Sequence, residues 1–365
     1  MHGLIAALAL LGGREVAGIA AEPRQAVSRR SESVPTNRGT QTSDKTEPRS
    51  GTPALTDQEK STKDAIAIAL RRGLPLVQQA AARYPDHRKC FSCHHQTLPM
   101  LTMVAAREAG LQIDQDLMKS QAEFTRKSFL NDIERLREGK GIGGRAMTVG
   151  YALWALSLAK ADGDDTTAAM VEYLFKTQHE NGYWAGQVNR PPMEESQAFC
   201  TVLAIMGIRK YAAPGQKEIA DAAVAKAKTW LAKVQPSSHE DRAARLWGMH
   251  FLDAAKDDLD AARNVILSVQ RDDGGWSQAE NMESDAYATG QSLFVLHSTG
   301  TPIAAQTYAR GVTFLLKTQL DDGSWHVKSR SKPVQVYFNN GDPHDKDQFI
   351  STPATCWALV ALSQR

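Results

Sequence analysis

Three segments of one form recur in this chain: Gln178-His-Glu-Asn-Gly-Tyr-Trp184, Gln270-Arg-Asp-Asp-Gly-Gly-Trp276 and Gln319-Leu-Asp-Asp-Gly-Ser-Trp325. Each reads Q-x-x-x-G-x-W, follows an amphipathic stretch and precedes an apolar one. The glycine suits a tight turn or a helix C-terminus. Trp276 and Trp325 are 49 residues apart, and Trp184 and Trp276 are 92 apart, about two such periods. A further 91 residues back lies Cys93, and degenerate counterparts are expected at 139–144 and 235–238. A period of this length holds two helices, so the repeat predicts about six helical hairpins and a nearly all-helical chain.

The helices differ in kind. Residues 146–156, 198–206 and 355–362 are apolar nearly all round and are therefore expected to be buried. Residues 217–234 carry a Lys/Glu/Asp face beside an Ala/Leu/Val stripe, as a surface helix does. An inner ring of the first kind and an outer ring of the second make an all-α fold, an α/α toroid over residues 61–365. Residues 22–60 are rich in Ser, Thr, Pro, Arg and Glu and read as a linker. Residues 1–21 hold a short apolar run, Leu4 to Leu11, and then the small residues Ala17, Gly18, Ala20 and Ala21, the pattern of a signal peptide on an exported, periplasmic or secreted protein. The net charge of +2, with no basic stripe interleaved with aromatics, argues against a nucleic-acid partner. No apolar run reaches the ~18 residues of a membrane span.

The Q-x-x-x-G-x-W segments resemble the QW motifs of squalene-hopene cyclases and related triterpene cyclases. The resemblance covers about residues 60–365 and implies the ring fold, which protein prenyltransferase β-subunits and lanthionine cyclases share while doing other chemistry. Triterpene cyclases protonate their substrate from a D-x-D-D motif. Asp162-Gly163-Asp164-Asp165 matches that string, but it ends an inner helix and opens an outer one, where acids serve as caps. Asp257-Asp258-Leu259-Asp260 likewise opens an outer helix and reads as a solvated first turn. At the places that correspond to the cyclase motif stand Glu194-Glu195-Ser196, Glu240-Asp241-Arg242, Glu283-Ser284-Asp285 and residues 348–352. The inner-helix N-termini of a toroid face one mouth. Glu194, Glu195, Glu240, Asp241, Glu283 and Asp285, with Arg145, Arg190 and Arg242, are thus expected to line a polar funnel, partly through capping.

Cys90-Phe91-Ser92-Cys93-His94-His95 occupies the turn of the first repeat. C-x-x-C-H is the attachment pattern of a c-type haem, with thioethers at Cys90 and Cys93 and His94 on the iron. His95, Met100, Met103, Met147 and His344 are candidates for the second axial position. The same residues read alternatively as a zinc site of Cys90, Cys93, His94 and His95, with His344 reaching the mouth from 341–347. A dithiol is the third reading. Cys200 and Cys356 lie mid-helix in apolar surroundings and read as core. The leading expectation is haem c at the cavity mouth, serving electron transfer to a redox partner or haem-dependent chemistry. The alternatives are a zinc-dependent prenyltransferase- or cyclase-like enzyme, and a non-catalytic module that binds a peptide, glycan or isoprenoid. Whether the chain is an enzyme stays open at this point.

Overall fold

The computed structural model describes residues 57–186, 190–300, 305–333 and 335–364. The expected signal peptide over 1–21 and nearly all of the expected linker over 22–60 lie outside them. Twelve main helices follow in order. The outer ones are α1 (Asp57–His87), α3 (Gln115–Lys127), α5 (Asp165–Thr177), α7 (Lys217–Lys233), α9 (Lys256–Ser268) and α11 (Ala305–Thr318). The inner ones are α2 (Leu98–Glu108), α4 (Arg145–Leu158), α6 (Gln197–Tyr211), α8 (His239–Phe251), α10 (Ala286–Ser298) and α12 (Gln348–Ser363). No named strand occurs among the described residues, only an isolated bridge between Trp276 and Asp285.

Burial separates the rings as the sequence predicts. Every residue of α12 except Phe349 is buried, whereas α7 buries only Ala223, Ala227 and Leu231. Each inner helix packs on its neighbours, and α12 closes the ring on α2. Three inner helices start at side-chain caps. Ser196 accepts from the Phe199 N–H, Ser238 from Asp241 and Asp285 from Ala288. A capped start fixes where each inner helix begins on the rim.

The repeated turns are built alike. Trp184, Trp276 and Trp325 are buried, and each indole N–H donates to a carbonyl ten residues earlier, that of Leu174, Ile266 or Leu315, at 2.8, 2.8 and 2.9 Å. The Trp backbone N–H donates to a threonine hydroxyl of the next inner helix, Thr201, Thr289 or Thr355. Each Gln amide donates once to its own turn and once to a carbonyl of the next outer helix, Ala223, Thr307 or Ala69. Gly182, Gly274 and Gly323 have φ of +99°, +90° and +92°, and a Cβ at any of them would meet a backbone oxygen of that outer helix at 2.4–2.6 Å. Glycine is required on both counts. The last of these turns reaches α1, so the motif also closes the ring.

Candidate functional site

Aromatic side chains fill the ring axis. Trp154 of α4 meets Trp247 of α8 at 5.4 Å between ring centroids, although α6 separates those helices in the ring. Phe199 and Tyr151 join from α6 and α4, and Phe294 links Trp247 to Trp357. Contacts between non-neighbouring inner helices place this cluster on the axis. All of these residues are buried.

Glu240, in the first turn of α8, is buried within this shell at 1% exposure. Its Oε2 accepts from the Tyr287 hydroxyl at 3.0 Å and from the Gln291 amide at 3.1 Å. Its Oε1 has no partner. A helix N-terminus favours a carboxylate, and so do these two donors. Desolvation nevertheless wins, and pushes Glu240 up from 4.5 to about 8. The group is therefore a neutral acid at pH 7. With Oε2 accepting twice, its proton belongs on Oε1, where no hydrogen-bond acceptor holds it. Tyr151 Oη, Trp154 Nε1, Trp357 Nε1 and Gln291 Oε1 are also buried without partners. Leaving such groups unsatisfied costs stability, about 1–3 kcal/mol each. Their gathering on one axis calls for a functional reason. Beside Glu240, His239 shares its Nε2 with the Ser292 hydroxyl at 3.3 Å and is held neutral by burial, its pKa down to about 3.

The mouth above this core is covered by the described parts of two connections, 190–196 of the first and 326–333 and 335–347 of the second. Arg330 of the second ties to Glu195 of the first and, at 3.0 Å, to Gln278. Beneath them a cavity of about 20 Å³ is lined by Cys93, His94, Arg190, Glu194, Ser331 and Phe349, among others. Arg190 and Glu194 form an ion pair on its wall.

The other expected mouth residues divide. Glu195 pairs with Arg330, Asp241 accepts from the hydroxyls of Ser196 and Ser237 at 2.7 and 2.8 Å, and Arg242 lies close enough to His239 to lower its pKa. Asp285 caps α10, accepts from Gln278 and is raised by burial to about 6. Two residues depart from expectation. Glu283 is exposed, and so is Arg145, whose charge acts on Tyr173 of outer helix α5. Asp162, Asp164 and Asp165 lie at the start of α5. Asp164 caps that helix and pairs with Arg126, and Asp165 pairs with Arg137. That string takes no part in the axis.

The haem expectation at Cys90, Cys93 and His94 is overturned. Cys90 is exposed while Cys93 is buried. The His94 ring is packed against His95 and Phe349, and Ser92 Oγ stands 3.1 Å from its Nδ1. His95 stacks on Tyr84, lies near Phe338 and meets the Asn340 amide at 2.5 Å. Side chains crowd both imidazoles, and the open space beside His94, about 20 Å³, is far below the hundreds of Å³ that a macrocycle needs. The structural neighbours described below also bind isoprenoids. The residues do not fit a zinc ion either. Among the described residues no three His, Cys, Asp or Glu side chains converge on one point, and His344 bonds to Ser324 and stacks on His326.

Sequence reasoning singled out Glu240 as a mouth residue and missed that it lies deeper. It also missed Tyr287, Gln291 and the aromatic shell. A signal was present, since Gln291 is the one long amide side chain in a helix made mostly of apolar and small residues.

The fold is a squalene/terpene-cyclase-like α/α toroid. The chain superimposes on the type II terpene cyclase MstE from Scytonema. The similarity is TM-score 0.51 with its variant in complex with merosterolic acid A (product), at 14% identity over 84% of this chain and 98% of that one. A variant in complex with geranylgeranyl dihydroxybenzoate (substrate) gives 0.50, at 12% identity over 83% and 99%. At such identities the likeness is one of fold. In sequence, the chain is 32% identical over 123 residues to lanosterol synthase erg7A of Aspergillus fumigatus, which is 32% of this chain and 16% of that protein. The chain thus covers well under two thirds of that relative. No protein-family model matches the sequence.

Proposed function

We propose that this chain is an acid-initiated isoprenoid cyclase or isomerase, with Glu240 as the proton donor. One observation carries the reading: a fully buried carboxylic acid, neutral at pH 7, whose free oxygen has no acceptor and lies within a shell of aromatic rings. The Glu240 Oε1 proton would pass to an alkene carbon, with the π electrons forming the new C–H bond. The resulting cation would be sheltered by the faces of Trp154, Trp247, Phe294 and Trp357, since aromatic rings attract cations and the dry shell excludes water. Tyr287 and Gln291 already point donors at Oε2 and so stabilise the carboxylate left behind. Loss of a C–H proton at the end restores the balance, so the net change is an isomerisation that needs no redox cofactor. Trp154, Trp247, Phe294 and Trp357 fill the axis in the free chain, so a substrate would have to displace them. That neighbours of the same fold hold an isoprenoid substrate and product supports the reading.

The test is incubation of the purified chain with all-trans polyprenyl substrates, followed by mass-spectrometric search for cyclised isomers of unchanged mass. Wild type should form them, and Glu240→Gln should lower the rate by 10²-fold or more, in line with what general acid catalysis contributes, ~10²–10⁴. Binding without any product in wild type would make the chain a non-catalytic isoprenoid module and end the acid reading.

A further inference from the structure

Arg330, on the second connection, is linked to the starts of both helices that build the surroundings of Glu240. Its Nη2 donates to Glu195 Oε1 at 2.5 Å, and its Nε donates to Gln278 Oε1 at 3.0 Å. Gln278 is buried, its amide nitrogen donates to Asp285 Oδ2 at 3.0 Å, and its backbone carbonyl accepts from the His239 N–H at 3.4 Å. Asp285 caps α10, which carries Tyr287 and Gln291, and His239 opens α8, which carries Glu240. We propose that Arg330 is a positioning residue for Glu240: seated by Gln278 between the two helix starts, it neutralises Glu195 near the acid, so that the mouth connection as well as the ring sets how readily the proton is given. This rests on the proposed function for what the proton does, and adds to it the control of the donor.

Geometry is the first argument. One guanidinium serves two acceptors on two different segments through two of its edges, a fork that the point charge of a lysine does not offer. The Gln278 amide is satisfied at both ends, by Arg330 and by Asp285, so it holds the guanidinium in one place. The side chains of Arg330 and Glu195 are 29% and 19% exposed, so salt screens this pair less than a pair on the open surface.

Charge is the second. Tyr287 and Gln291 of α10 and Tyr151 of α4 face Glu240 as neutral groups, burial holding both tyrosines well above the ordinary tyrosine value. Two carboxylates act on it as well, Asp241 of its own helix and Glu195 of the first connection, and each resists a further negative charge at Glu240. Asp241 is held by the uncharged hydroxyls of Ser196 and Ser237, whereas Glu195 has a cation against it. Arg330 is thus the charge that offsets Glu195. Its field also reaches Asp285, which it holds below the value that burial alone would give. Without Arg330, Glu195 would act on the acid unopposed.

The test follows the protonated Glu240 carbonyl by infrared spectroscopy on the full chain from pH 5 to 10, its band being the one that Glu240→Gln lacks. Wild type should lose the band near pH 8. Arg330→Gln leaves a bare carboxylate at Glu195 and should move that midpoint up, by about one pH unit. Glu195→Gln leaves a bare guanidinium and should move it down by a similar amount. Arg330→Gln/Glu195→Gln should return it close to wild type, and Arg330→Lys, which keeps the charge, should hardly move it. A merely structural tie predicts otherwise, because both single variants break the same ion pair and a loosened mouth would shift both midpoints the same way. Shifts of one sign, no shift in either single variant, or a double variant that moves further than both overturns the role of Arg330. If Arg330→Gln fails to fold, Glu195→Gln and Arg330→Lys still decide, since a midpoint that falls in the first and holds in the second is the expected pair. The two readings can fail separately. Band shifts as stated, with no cyclised product from wild type, remove the catalytic role of the acid and leave Arg330 in place. Product that depends on Glu240, with midpoints untouched by the Arg330 and Glu195 variants, removes Arg330 and leaves the acid.

Discussion

The buried acid at Glu240 makes stability depend on pH in a way that can be measured without knowing the substrate. Its pKa is 4.5 when solvated and about 8 in the fold. Between those values the folded chain holds a proton that the unfolded chain has lost. The stabilisation is thus complete below about pH 4.5 and is lost as pH rises toward 8. The slope is about 1.4 kcal/mol per pH unit, so the window as a whole is worth ~3–5 kcal/mol. Asp285, raised to about 6, adds a smaller loss in the same direction at lower pH. Buried His95 and His239, lowered to about 3, act oppositely and cost stability as pH falls below 6.5. Stability should therefore peak near pH 6. Urea unfolding from pH 5 to 9, followed by tryptophan fluorescence, reads this directly. Glu240→Gln keeps the shape but leaves an amide N–H₂ without an acceptor, a loss of about 1–3 kcal/mol at pH 5. Its alkaline limb should be nearly flat, so that it overtakes wild type by pH 8. If wild type and variant lose stability in parallel between pH 6 and 8, Glu240 is not the buried neutral acid described here.

Thiol chemistry gives a second expectation. Burial pushes Cys93 and Cys356 to about 12 and raises Cys200 further, while Cys90 is exposed, so a native sample should show one fast-reacting thiol and four after denaturation. Gly323→Ala should cost a few kcal/mol, since a Cβ would lie 2.5 Å from the Arg72 carbonyl oxygen at φ +92°. Proteolysis beginning in α1 would mark the opened ring, and a melting temperature within 1–2 °C of wild type would count against that closure. Replacing Asp162, Asp164 and Asp165 together with Asn should leave cyclised product within about twofold, because Asn still caps a helix; loss of product would return that string to the mechanism.

The architecture was legible because the repeat is mechanical. Gln178, Gln270 and Gln319 lie the same distance before their tryptophans, and each makes the same two hydrogen bonds, so one spacing reports one local geometry. The site was legible only to the depth of the rim. Glu240 and Glu195 look alike in sequence, as acids just ahead of or within the first turn of an inner helix. Their environments separate them. Glu195 meets Arg330, which is 135 residues away, and Glu240 meets Gln291, which is 51 residues away. Neither partner can be assigned from local pattern. The C-x-x-C-H-H string misled for a related reason. The motif specifies an attachment chemistry but not the space beside it, and Phe338 and Asn340, which close over His95, come from the far end of the chain.

The two connections over the mouth begin where the clamps end. Residues 185–196 follow Trp184, and 326–347 follow Trp325, both buried tryptophans tied by side-chain and backbone hydrogen bonds. The connection after Trp276 is short and leads directly to Asp285, the cap of α10. Two of the three tight turns thus serve as fixed anchors for long segments, and those segments carry Arg190, Glu194, Arg330 and Lys332. A long connection can change its residues with little effect on the ring, because the clamp beneath it already satisfies the backbone at the turn. The inner helices cannot, since a substitution at Trp247 or Gln291 touches neighbours on several sides of the axis. On this division of labour the proposed acid belongs to the closely packed ring, and the residues around the mouth belong to the connections, where substitution disturbs the ring least.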